Sequence, residues 1–431
     1  MDFALSPRAR DLQQRLDAFM LRYLLPHNAA WHRAVQDGVF PPPFLDDLKA
    51  LAREEGLWNL FLPGLRRDEP GTCLSNLDYA PLAQSMGRLP WASEVFNCSA
   101  PDTGNMELLH RFANDAQRAQ WLHPLLHGEI RSAFAMSEPD VASSDPTNLQ
   151  TTVRREGDAL VVSGRKWFIT GAAHPHCRLL IVMCRNAAAE DGSADDAHRR
   201  HSMVLVPLDT PGVQVLRNIP VLHHHAPEGH CEILLQNVRV PQTSLLGAWG
   251  AGFAMAQARL GPGRVHHCMR TIGQCELALQ LAAERTLERQ MFGRYESDFS
   301  NVQDWLAESR IEIDQARLLV LHTAWLLDQG EAVDIATTRA QVAAIKVVAA
   351  RLQSRVVDRA MQVFGAMGLS PDTPLAQFWS WGRALHLMDG PDEVHLRSVA
   401  RHEIAQARGR MGTSAAWFTT PEQMQATPRI R

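Results

Sequence analysis

The sequence predicts an α+β protein in which a β-rich segment lies between two helical segments. Its 431 residues are enough for about two to three domains with a sizeable core. Helix start and stop signals recur from Ser6 to about Gly128, and short stretches rich in β-branched residues follow from about Ile130. Long apolar stripes at helical spacing appear after about Gly252. This order of helices, small β domain and helical bundle restricts the possible folds.

The composition is that of a folded globular protein, with 45% hydrophobic and 21% charged residues. A net charge of -4 provides no electrostatic footprint for nucleic acid or for an anionic membrane surface. The chain shows no secretory h-region, no apolar run long enough to span a membrane, and no peroxisomal address in its final TPRIR. Its seven cysteines include no C-x-x-C pair. We therefore expect a cytoplasmic protein with free thiols.

The first segment is expected to form short helices. PPPFLDDLKALAREEG, for example, opens on prolines and closes on glycine, as helix boundaries do. The β-rich segment begins with TTVRREGDALVVSG, which predicts a hairpin around Glu156-Gly157-Asp158. KWFITGA, RLLIVMCR, SMVLVPL, GVQVLRN and HCEILLQNVRVP follow as further short strands. Turn signals at this spacing favour a small barrel or sandwich. The polar stretch from Asn186 to His201 is expected to be a solvated loop.

The last segment is expected to form a bundle around two long amphipathic helices. One mostly apolar stripe consists of Leu306, Ser309, Ile313, Ala316, Val320, Thr323 and Leu327. A second stripe consists of Ile345, Val348, Leu352, Val356, Ala360 and Val363, and FGAMG ends it. Two long helices with buried stripes indicate a bundle. After about Arg410 the sequence reads as a tail or a partner-binding arm.

The stretch MDGPDEVHLRSVAR, from Met388 to Arg401, places three acids around a Gly-Pro step. On residue chemistry alone it is a helix start, because proline suits the first helical position and acids suit the first turn. The question is whether Asp389, Asp392 or Glu393 also does chemistry. The residues of this stretch do not answer it by themselves.

The histidines that follow Leu222 could suggest a metal site. His223, His224 and His225 are consecutive, however, and side chains of successive residues in an extended chain point to alternate sides. We expect no metal there, even with His230 nearby. His266 and His267 could lie near an acyl or CoA site or could be packed, and Cys268 and Cys275 share a helix face.

Several motifs in order resemble the acyl-CoA dehydrogenase family of flavoenzymes. They are AFAMSEPDVASSDPTN, GRKWFITGA, ERQMFG, QVFGAMGL and MDGPDEVHLRSVAR, and the resemblance covers about residues 10 to 405. RLGPGRVHHCMRTIGQCE, together with DGPDEVH, resembles the branch of family members 10 and 11. The resemblance implies an N-terminal α-helical domain over 1-130, a middle β-barrel over 131-246, a C-terminal four-helix bundle over 247-410 and a tail over 411-431.

The family oxidises the Cα-Cβ bond of acyl-CoA thioesters, and the resemblance implies that Asp389 is the base that removes the α-proton. Most of the family has Glu here, whereas the branch reads D-G-P, so we interpret Asp as a branch feature. The backbone N-H of Asp389 and a flavin hydroxyl are implied to hold the thioester oxygen. An acyl chain that closes the pocket would raise the pKa of Asp389. Asp392 and Glu393 are the alternative acids.

The resemblance also implies residues for the isoalloxazine ring of FAD. Phe134, Met136 and Ser137 match the positions that bond the edge of the ring. Phe168 matches the stacking aromatic, which is usually Trp, and phenylalanine keeps the stacking face without the N-H donor. Thr170 matches a hydroxyl on the N5 side. Without the resemblance, Phe168 could equally be a core aromatic.

A second set of residues is implied to bind the FAD of a neighbouring subunit. Arg289 in ERQMFG matches the arginine of the pyrophosphate site, and Phe292 lies beside the adenine. Gln362, Gly365 and Gly368 match a turn where the backbone approaches the cofactor. This chain has alanine where a second adjacent glycine is common. Without the resemblance, Arg289 would read as a solvated helix charge.

The remaining implied positions belong to the substrate and to the turn of the base. Ser144 lies in a loop that contacts the pantetheine arm, and Arg264 in GPGRV lines the CoA entrance. Gly390 is assigned to the substrate side. Pro391 and Glu393 stand where the family has Thr and a Gln that contacts FAD, so the contact near Glu393 must differ.

We expect an FAD-dependent acyl-CoA dehydrogenase that forms a homodimer or homotetramer and passes electrons to electron-transfer flavoprotein. The substrate could be a medium- or long-chain acyl-CoA or a 4-hydroxyacyl-CoA. Two alternatives use the same fold. One is an acyl-CoA oxidase or flavin monooxygenase, and the other is a non-catalytic flavin-binding scaffold.

Overall fold

The computed structural model describes residues 4–187 and 199–418. Most of the loop expected between Asn186 and His201, and the end of the tail, lie outside these residues. Thirteen α-helices occur in the described part of the chain: α1 (Pro7–Phe19), α2 (Asn28–Gln36), α3 (Leu45–Glu54), α4 (Asn76–Gly87), α5 (Ala92–Val95), α6 (Asp102–Phe112), α7 (Asp115–Gln117), α8 (His123–Leu126), α9 (Gly252–Glu288), α10 (Ser300–Asp328), α11 (Ile335–Phe364), α12 (Leu375–Leu385) and α13 (Asp392–Gly409).

The strands of the same residues are β1 (Arg131–Ala135), β2 (Thr152–Glu156), β3 (Ala159–Thr170), β4 (Cys177–Asn186), β5 (His201–Pro207), β6 (Val213–Asn218), β7 (His230–Pro241), β8 (Leu245–Leu246), β9 (Gln290–Met291) and β10 (Arg294–Tyr295). The predicted order of helices, strands and helices is therefore confirmed. We find no described helix that is both long and apolar enough to cross a membrane.

The N-terminal helices follow local signals. Ser6 caps α1 by accepting a hydrogen bond from the backbone N-H of Ala9, and proline occupies the first helical position. α4 begins in the same way at Ser75. The buried faces of α1, α4 and α6 share one hydrophobic core with α9 of the last segment. This shared core fixes α6 and α9 side by side, which matters for the site below.

The sheet has eight strands in the order β6-β7-β3-β2-β4-β5-β8, with β1 paired to β4. The predicted hairpin is confirmed, because Glu156 pairs with Ala159 across it. KWFITGA is not a separate strand, since it continues β3 after Gly164. The end strands β6 and β8 do not pair with each other among the described residues, so the barrel expected from the resemblance is an open sheet here. β8 has only two residues, which is too short to close the sheet.

The C-terminal bundle is formed by α9, α10, α11 and α13. α11 contacts the other three helices, and α9 and α10 also contact each other. The two predicted stripes face its interior, with Ile313 and Val320 in α10 and Ile345 and Leu352 in α11 fully or almost fully buried. Gly365, at a φ of +60°, ends α11 where the sequence predicted a stop. α9 contacts α4, α6, α10 and α11 and so joins both helical segments.

Candidate active site

The turn between α12 and α13 presents Asp389. Asp389 and Gly390 have φ values of +55° and +97°, in the left-handed region that only glycine adopts without strain. The turn is closed at its base by His386 and Asp392. The backbone N-H of Asp392 donates to the carbonyl of His386 at 3.1 Å, and its carboxylate accepts from Nδ1 of His386 at 2.6 Å. Asp392 is therefore occupied in holding the turn, and the Glu393 side chain is exposed on α13.

Three elements hold the backbone of this turn. Arg264 of α9 donates to the carbonyl of Asp389 at 2.9 and 3.3 Å, and Nε2 of His395 on α13 lies 3.1 Å from the same oxygen. Lys346 of α11 is fully buried and donates to the carbonyls of Leu385 and Gly390. The backbone N-H of Asp389 has no acceptor within the described part of the chain. These contacts hold the turn in place, and among the described residues the N-H groups of Asp389 and Gly390 remain free.

The carboxylate of Asp389 faces α9. Its Oδ2 lies 3.6 Å from Nε2 of His267, and about a quarter of the side chain, 26%, is exposed. Burial by itself raises the pKa of Asp389, but the interaction with His267 and the positive charges of Arg264, Arg259 and Lys346 outweigh burial and leave this pKa below its usual value. The protein's own residues thus act against the raised pKa that an acyl chain is expected to cause. They keep Asp389 ionised.

Arg259 joins this turn to the sheet. Its guanidinium lies over the ring of Phe134 at 4.2 Å and donates to Oδ1 of Asn105 on α6 at 3.0 Å. Gly104 makes room for it, because a Cβ at residue 104 would lie 3.1 Å from the guanidinium carbon. The charge of Asp389 acts on Arg259. Arg259 therefore links the ring of Phe134, which it contacts directly, with the charge of Asp389, which acts on it electrostatically.

Glu107 lies on the same helix as Asn105, behind Arg259. Its side chain is 2% exposed, and neither carboxylate oxygen has a hydrogen-bond partner among the described residues. Burial raises the pKa of Glu107 to about 8, although Arg111 and Arg259 act in the opposite direction. His266 is buried nearby in edge contact with Tyr79. The interior between α6 and α9 therefore contains polar as well as apolar side chains.

Phe168 and its neighbours offer a surface that fits a flat ring. Phe168 has a φ of +51° at an irregularity of β3 between Lys166 and Ile169, and this turns its ring outward, 43% exposed. A strained, exposed aromatic residue in a sheet indicates a functional position. The backbone N-H of Trp167 donates to the carbonyl of Ser137 at 3.0 Å, so β3 lies beside the end of β1.

The other predicted flavin positions of the sheet are close by. The carbonyl of Met136 accepts from the buried Lys166 at 2.9 Å, which fixes the stretch after β1. Oγ1 of Thr170 lies 3.0 Å from Nδ1 of His230, so the hydroxyl is already engaged on one side. The fold thus brings Phe134, Met136, Ser137, Phe168 and Thr170 together. These residues fit a flavin ring stacked on Phe168.

A second group of predicted residues lies around the end of α11. Arg289 donates to the carbonyl of Val363 at 3.3 Å and pairs with the buried Glu296 at 3.3 Å. Phe292, at a φ of +51°, is 94% exposed in the short β9-β10 hairpin. This aromatic ring is therefore available for a contact outside the chain.

Packing within the chain explains one of the two glycines in the turn after α11. Gln362 and Gly365 are exposed, as a cofactor contact would require. Gly368 is buried, and a Cβ there would lie 2.8 Å from the carbonyl oxygen of Met361. The absence of a side chain at Gly368 is therefore needed for packing against α11.

The residues predicted for the substrate side and for the turn of the base lie in different elements of the fold. Ser144 is exposed in the loop between β1 and β2. Glu138 anchors this loop, because it accepts from the backbone of Gln150 and Thr151 at 2.6 and 2.9 Å and pairs with Lys166. Pro391 caps α13. Arg264 donates to the carbonyl of Asp389 in the turn before α13.

Sequence reasoning missed four residues of the site: Arg259, Arg270, Lys346 and His395. Arg259, Gly263, His267 and Arg270 recur at three- and four-residue steps along α9, and this helical spacing could have revealed a polar stripe. Lys346 gives no such signal, because it lies in an otherwise apolar stripe. Among the described residues no three side chains could share a metal ion, and His223, His224 and His225 are exposed.

Comparison with known proteins places the whole chain in one family context. The model for the acyl-CoA dehydrogenase N-terminal domain matches residues 6–129, that for the middle domain matches residues 133–238, and that for the C-terminal domain matches residues 250–404. Probable acyl-CoA dehydrogenase FadE2 of Mycobacterium tuberculosis is 51% identical over 95% of this chain and 98% of the relative.

Two further relatives are longer proteins. Acyl-CoA dehydrogenase family member 10 of Mus musculus is 46% identical over 93% of this chain, and member 11 of the same organism is 42% identical over 95%. The chain spans only 37% and 52% of their lengths. A solved protein from Mycobacterium abscessus, described as an acyl-CoA dehydrogenase, superimposes with a TM-score of 0.88 at 46% identity over 94% of this chain and 99% of that one.

Proposed function

The chain belongs to the acyl-CoA dehydrogenase family, and from that premise we propose that Asp389 removes the α-proton of an acyl-CoA during α,β-desaturation. The family assigns the protein to the FAD-dependent oxidoreductases. The observation that supports Asp389 is its placement. Its carboxylate accepts no direct hydrogen bond among the described residues, whereas that of Asp392 is bonded to His386, and its charge acts on Arg259, which lies over Phe134.

The free backbone N-H of Asp389 supports a second role for the turn. If the thioester oxygen of an acyl-CoA accepted a hydrogen bond from this N-H, the α-carbon of the substrate would lie near the carboxylate of Asp389. Arg264, His395 and Lys346 occupy the carbonyl oxygens of the turn, so they hold the N-H in a fixed direction. One residue would then both bind the oxygen and take the proton.

FAD, when bound, accepts the hydride from the β-carbon. We infer that Phe168 stacks on its ring and that Phe134, Met136, Ser137 and Thr170 border the ring. The exposed and strained position of Phe168 supports this inference. The exposed Gln362 and Gly365, with Arg289 and Phe292, would bind the FAD of a neighbouring subunit, with Gly368 supporting their turn.

We propose a homodimer or homotetramer, because Phe292 is almost fully exposed and Met291, Tyr295 and Leu369 add further exposed apolar surface. Electron-transfer flavoprotein is the proposed acceptor of the electrons. We also propose that the domains span 1-130, 131-246 and 247-410, with a tail over 411-431, and that the protein is cytoplasmic.

The surroundings of Asp389 favour a polar acyl chain. Arg259 retains guanidinium N-H groups beyond those donated to Asn105 and Pro101, and the buried carboxylate of Glu107 has no hydrogen-bond partner among the described residues. A plain aliphatic chain would leave these groups unpaired in a dry site, at a cost of roughly 1–3 kcal/mol for each. We therefore propose a 4-hydroxyacyl-CoA in preference to an unsubstituted medium- or long-chain acyl-CoA. Ser144, Gly390 and Arg264 are proposed to contact the CoA portion or the thioester.

The test is an anaerobic titration of the FAD-loaded protein with unsubstituted and 4-hydroxylated acyl-CoAs, followed by the visible flavin spectrum. We expect bleaching of the flavin band, strongest with a hydroxylated chain, and none with Asp389→Asn. Asp47→Asn, an exposed acid on α3, is the matched control and should bleach normally. A flavin that no thioester reduces would favour the non-catalytic scaffold, and rapid reoxidation of reduced flavin by air would favour an oxidase or monooxygenase.

A further inference from the structure

We propose that His267 is a positioning residue for Asp389 and that Arg270 sets the state of its ring. The proposal rests on the proposed role of Asp389 as the base. Arg270, His267 and Asp389 form a chain of three side chains that crosses from α9 to the turn before α13.

The first link lies within α9. Nη2 of Arg270 is 3.3 Å from Nδ1 of His267, three residues earlier on the same helix face. The other arm of the guanidinium donates to the carbonyl of Cys98 at 3.1 Å, which anchors Arg270 to the N-terminal segment. Both arms of the Arg270 guanidinium are therefore engaged. It cannot rotate away from His267 without leaving a carbonyl unpaired.

The second link joins α9 to the turn. Nε2 of His267 lies 3.6 Å from Oδ2 of Asp389. This distance is too long for a direct hydrogen bond and too short for a water molecule between the atoms. Catalytic hydrogen bonds are often long before substrate is bound and shorten in the complex. The imidazole is thus in position to hold one carboxylate oxygen.

Arginine determines which nitrogen of His267 carries the proton. A guanidinium has only donors and stays charged at every pH at which the protein is folded. Nδ1 of His267 must therefore be the acceptor, and the single N-H of the neutral ring must be on Nε2. That N-H faces Asp389. In the opposite tautomer the lone pair of Nε2 of His267 would face a lone pair of Oδ2 of Asp389.

The neutral form of the ring is also favoured by its surroundings. Burial lowers the pKa of His267 to about 4, and the neighbouring charge of Arg270 acts in the same direction. The groups that face Asp389 from the elements around it are Arg259, Arg264 and His267 of α9, Lys346 of α11, and His395 and Asp392 of α13. His267 therefore acts on the base as an N-H donor.

The consequence concerns which oxygen of Asp389 reacts. If the N-H of His267 holds Oδ2, Oδ1 is the oxygen that is free to face the substrate. The Cα-H bond breaks, its proton goes to Oδ1, and the electron pair remains in the thioester enolate. Aspartate is one methylene shorter than the glutamate common in the family, so its carboxylate has less freedom to find the α-carbon. A partner at Oδ2 fixes the orientation of this short side chain and so fixes the direction of Oδ1.

The experiment measures removal of the α-proton by Asp389 in the absence of hydride transfer. A 3-thiaacyl-CoA has sulfur in place of the β-carbon, so the FAD-loaded protein in deuterium oxide can exchange its α-protons but cannot oxidise it. Mass spectrometry follows the exchange from pH 5 to pH 9 for the wild type, His267→Phe, His267→Gln and Arg270→Met. Phenylalanine fills the volume without a donor. Glutamine restores an N-H near the position of Nε2, and the flavin spectrum reports intact folding of each variant.

We expect His267→Phe to move the low-pH fall in exchange upward by about one to two pH units. At pH 7 the exchange should be slower by roughly tenfold to a hundredfold. His267→Gln should return both quantities toward the wild type. Exchange by His267→Phe that superimposes on the wild type at every pH would overturn the proposal, as would a glutamine variant no better than phenylalanine.

The role of Arg270 is tested by non-additivity. Arg270→Met should shift the pH dependence in the same direction as His267→Phe, and the double variant should add little to His267→Phe alone, because both changes remove one chain of contacts. Fully additive effects would show that Arg270 does not act through His267.

If the wild type itself exchanges no α-proton, the assignment of Asp389 as the base fails. If the wild type exchanges and Asp389→Asn does not, only the role of His267 is in question.

Discussion

The guanidinium of Arg264 donates two hydrogen bonds to the backbone carbonyl of Asp389, at 2.9 and 3.3 Å. An arginine beside a catalytic carboxylate would usually pair with the carboxylate itself. Here it holds the backbone and leaves both carboxylate oxygens available. The same turn is held by Lys346 and His395. The placement of the proposed base therefore depends on backbone contacts from three different helices.

Arg264→Lys should slow flavin reduction while the FAD content stays unchanged. An ammonium group lacks the planar fork that makes two bonds to one carbonyl, so the turn would lose at least one of them. We expect a decrease of roughly tenfold in the limiting rate of flavin bleaching at saturating acyl-CoA, for a loss of about 1.4 kcal/mol. Rapid-mixing absorbance measures it. A limiting rate equal to that of the wild type would show that the fork is not needed.

Phe168→Gly should weaken FAD binding and stabilise the FAD-free protein. The φ of +51° at Phe168 costs on the order of 1 kcal/mol or more, which glycine relieves, whereas the stacking face is lost. Fluorescence titration with FAD and thermal melting of the FAD-free protein measure the two effects. Trp417→Ala removes another exposed aromatic ring and serves as the control. Unchanged FAD affinity in Phe168→Gly would argue against stacking on this ring.

Glu107→Gln should stabilise the protein at alkaline pH and have little effect at pH 5. Burial raises the pKa of Glu107 from 4.5 to about 8, so between these values the folded state holds a proton that the unfolded state has lost. Stability therefore falls as pH rises through this window, by up to about 1.4 kcal/mol per pH unit. Glutamine cannot ionise, so the difference between variant and wild type should grow with pH. Melting curves that stay parallel from pH 5 to pH 8.5 would exclude this ionisation.

Asp392→Asn should loosen the turn that carries Asp389. The bond of 2.6 Å to His386 is the side-chain contact that closes the turn, and Asp392 is buried. Removing the charge should cost roughly 1–3 kcal/mol of stability and slow flavin reduction. Glu393→Gln, one residue later and exposed, should leave the melting temperature unchanged. Equal melting temperatures for both variants would show that the contact with His386 contributes nothing.

Features that depend on local sequence could be predicted. The apolar stripes of α10 and α11, the hairpin at Glu156-Gly157-Asp158 and the helix start after Pro391 all follow from residue spacing and turn chemistry, and the structure confirms them. The resemblance to a known family supplied the candidate base. Its place in the structure shows why Asp389, rather than Asp392, is available: Asp392 is bonded to His386.

Features that depend on packing between distant segments could not be predicted. The position of Arg259 between Phe134 and Asn105 requires α6, α9 and β1 to meet. The burial of Glu107 and the contacts of Lys346 with the turn arise in the same way. The open sheet reflects the shortness of β8, which strand patterns did not reveal. Each of these results from tertiary contacts and has no local sequence pattern.

The central claim is that Asp389 is the base, and the most direct test is the rate of flavin reduction by a single acyl-CoA under anaerobic conditions in the wild type, Asp389→Asn and Asp389→Glu. We predict rapid bleaching by the wild type, a loss of at least about 10³-fold in Asp389→Asn, and partial activity in Asp389→Glu, since a carboxylate is retained. Each variant should still bind FAD. Bleaching by Asp389→Asn at the rate of the wild type would contradict the account.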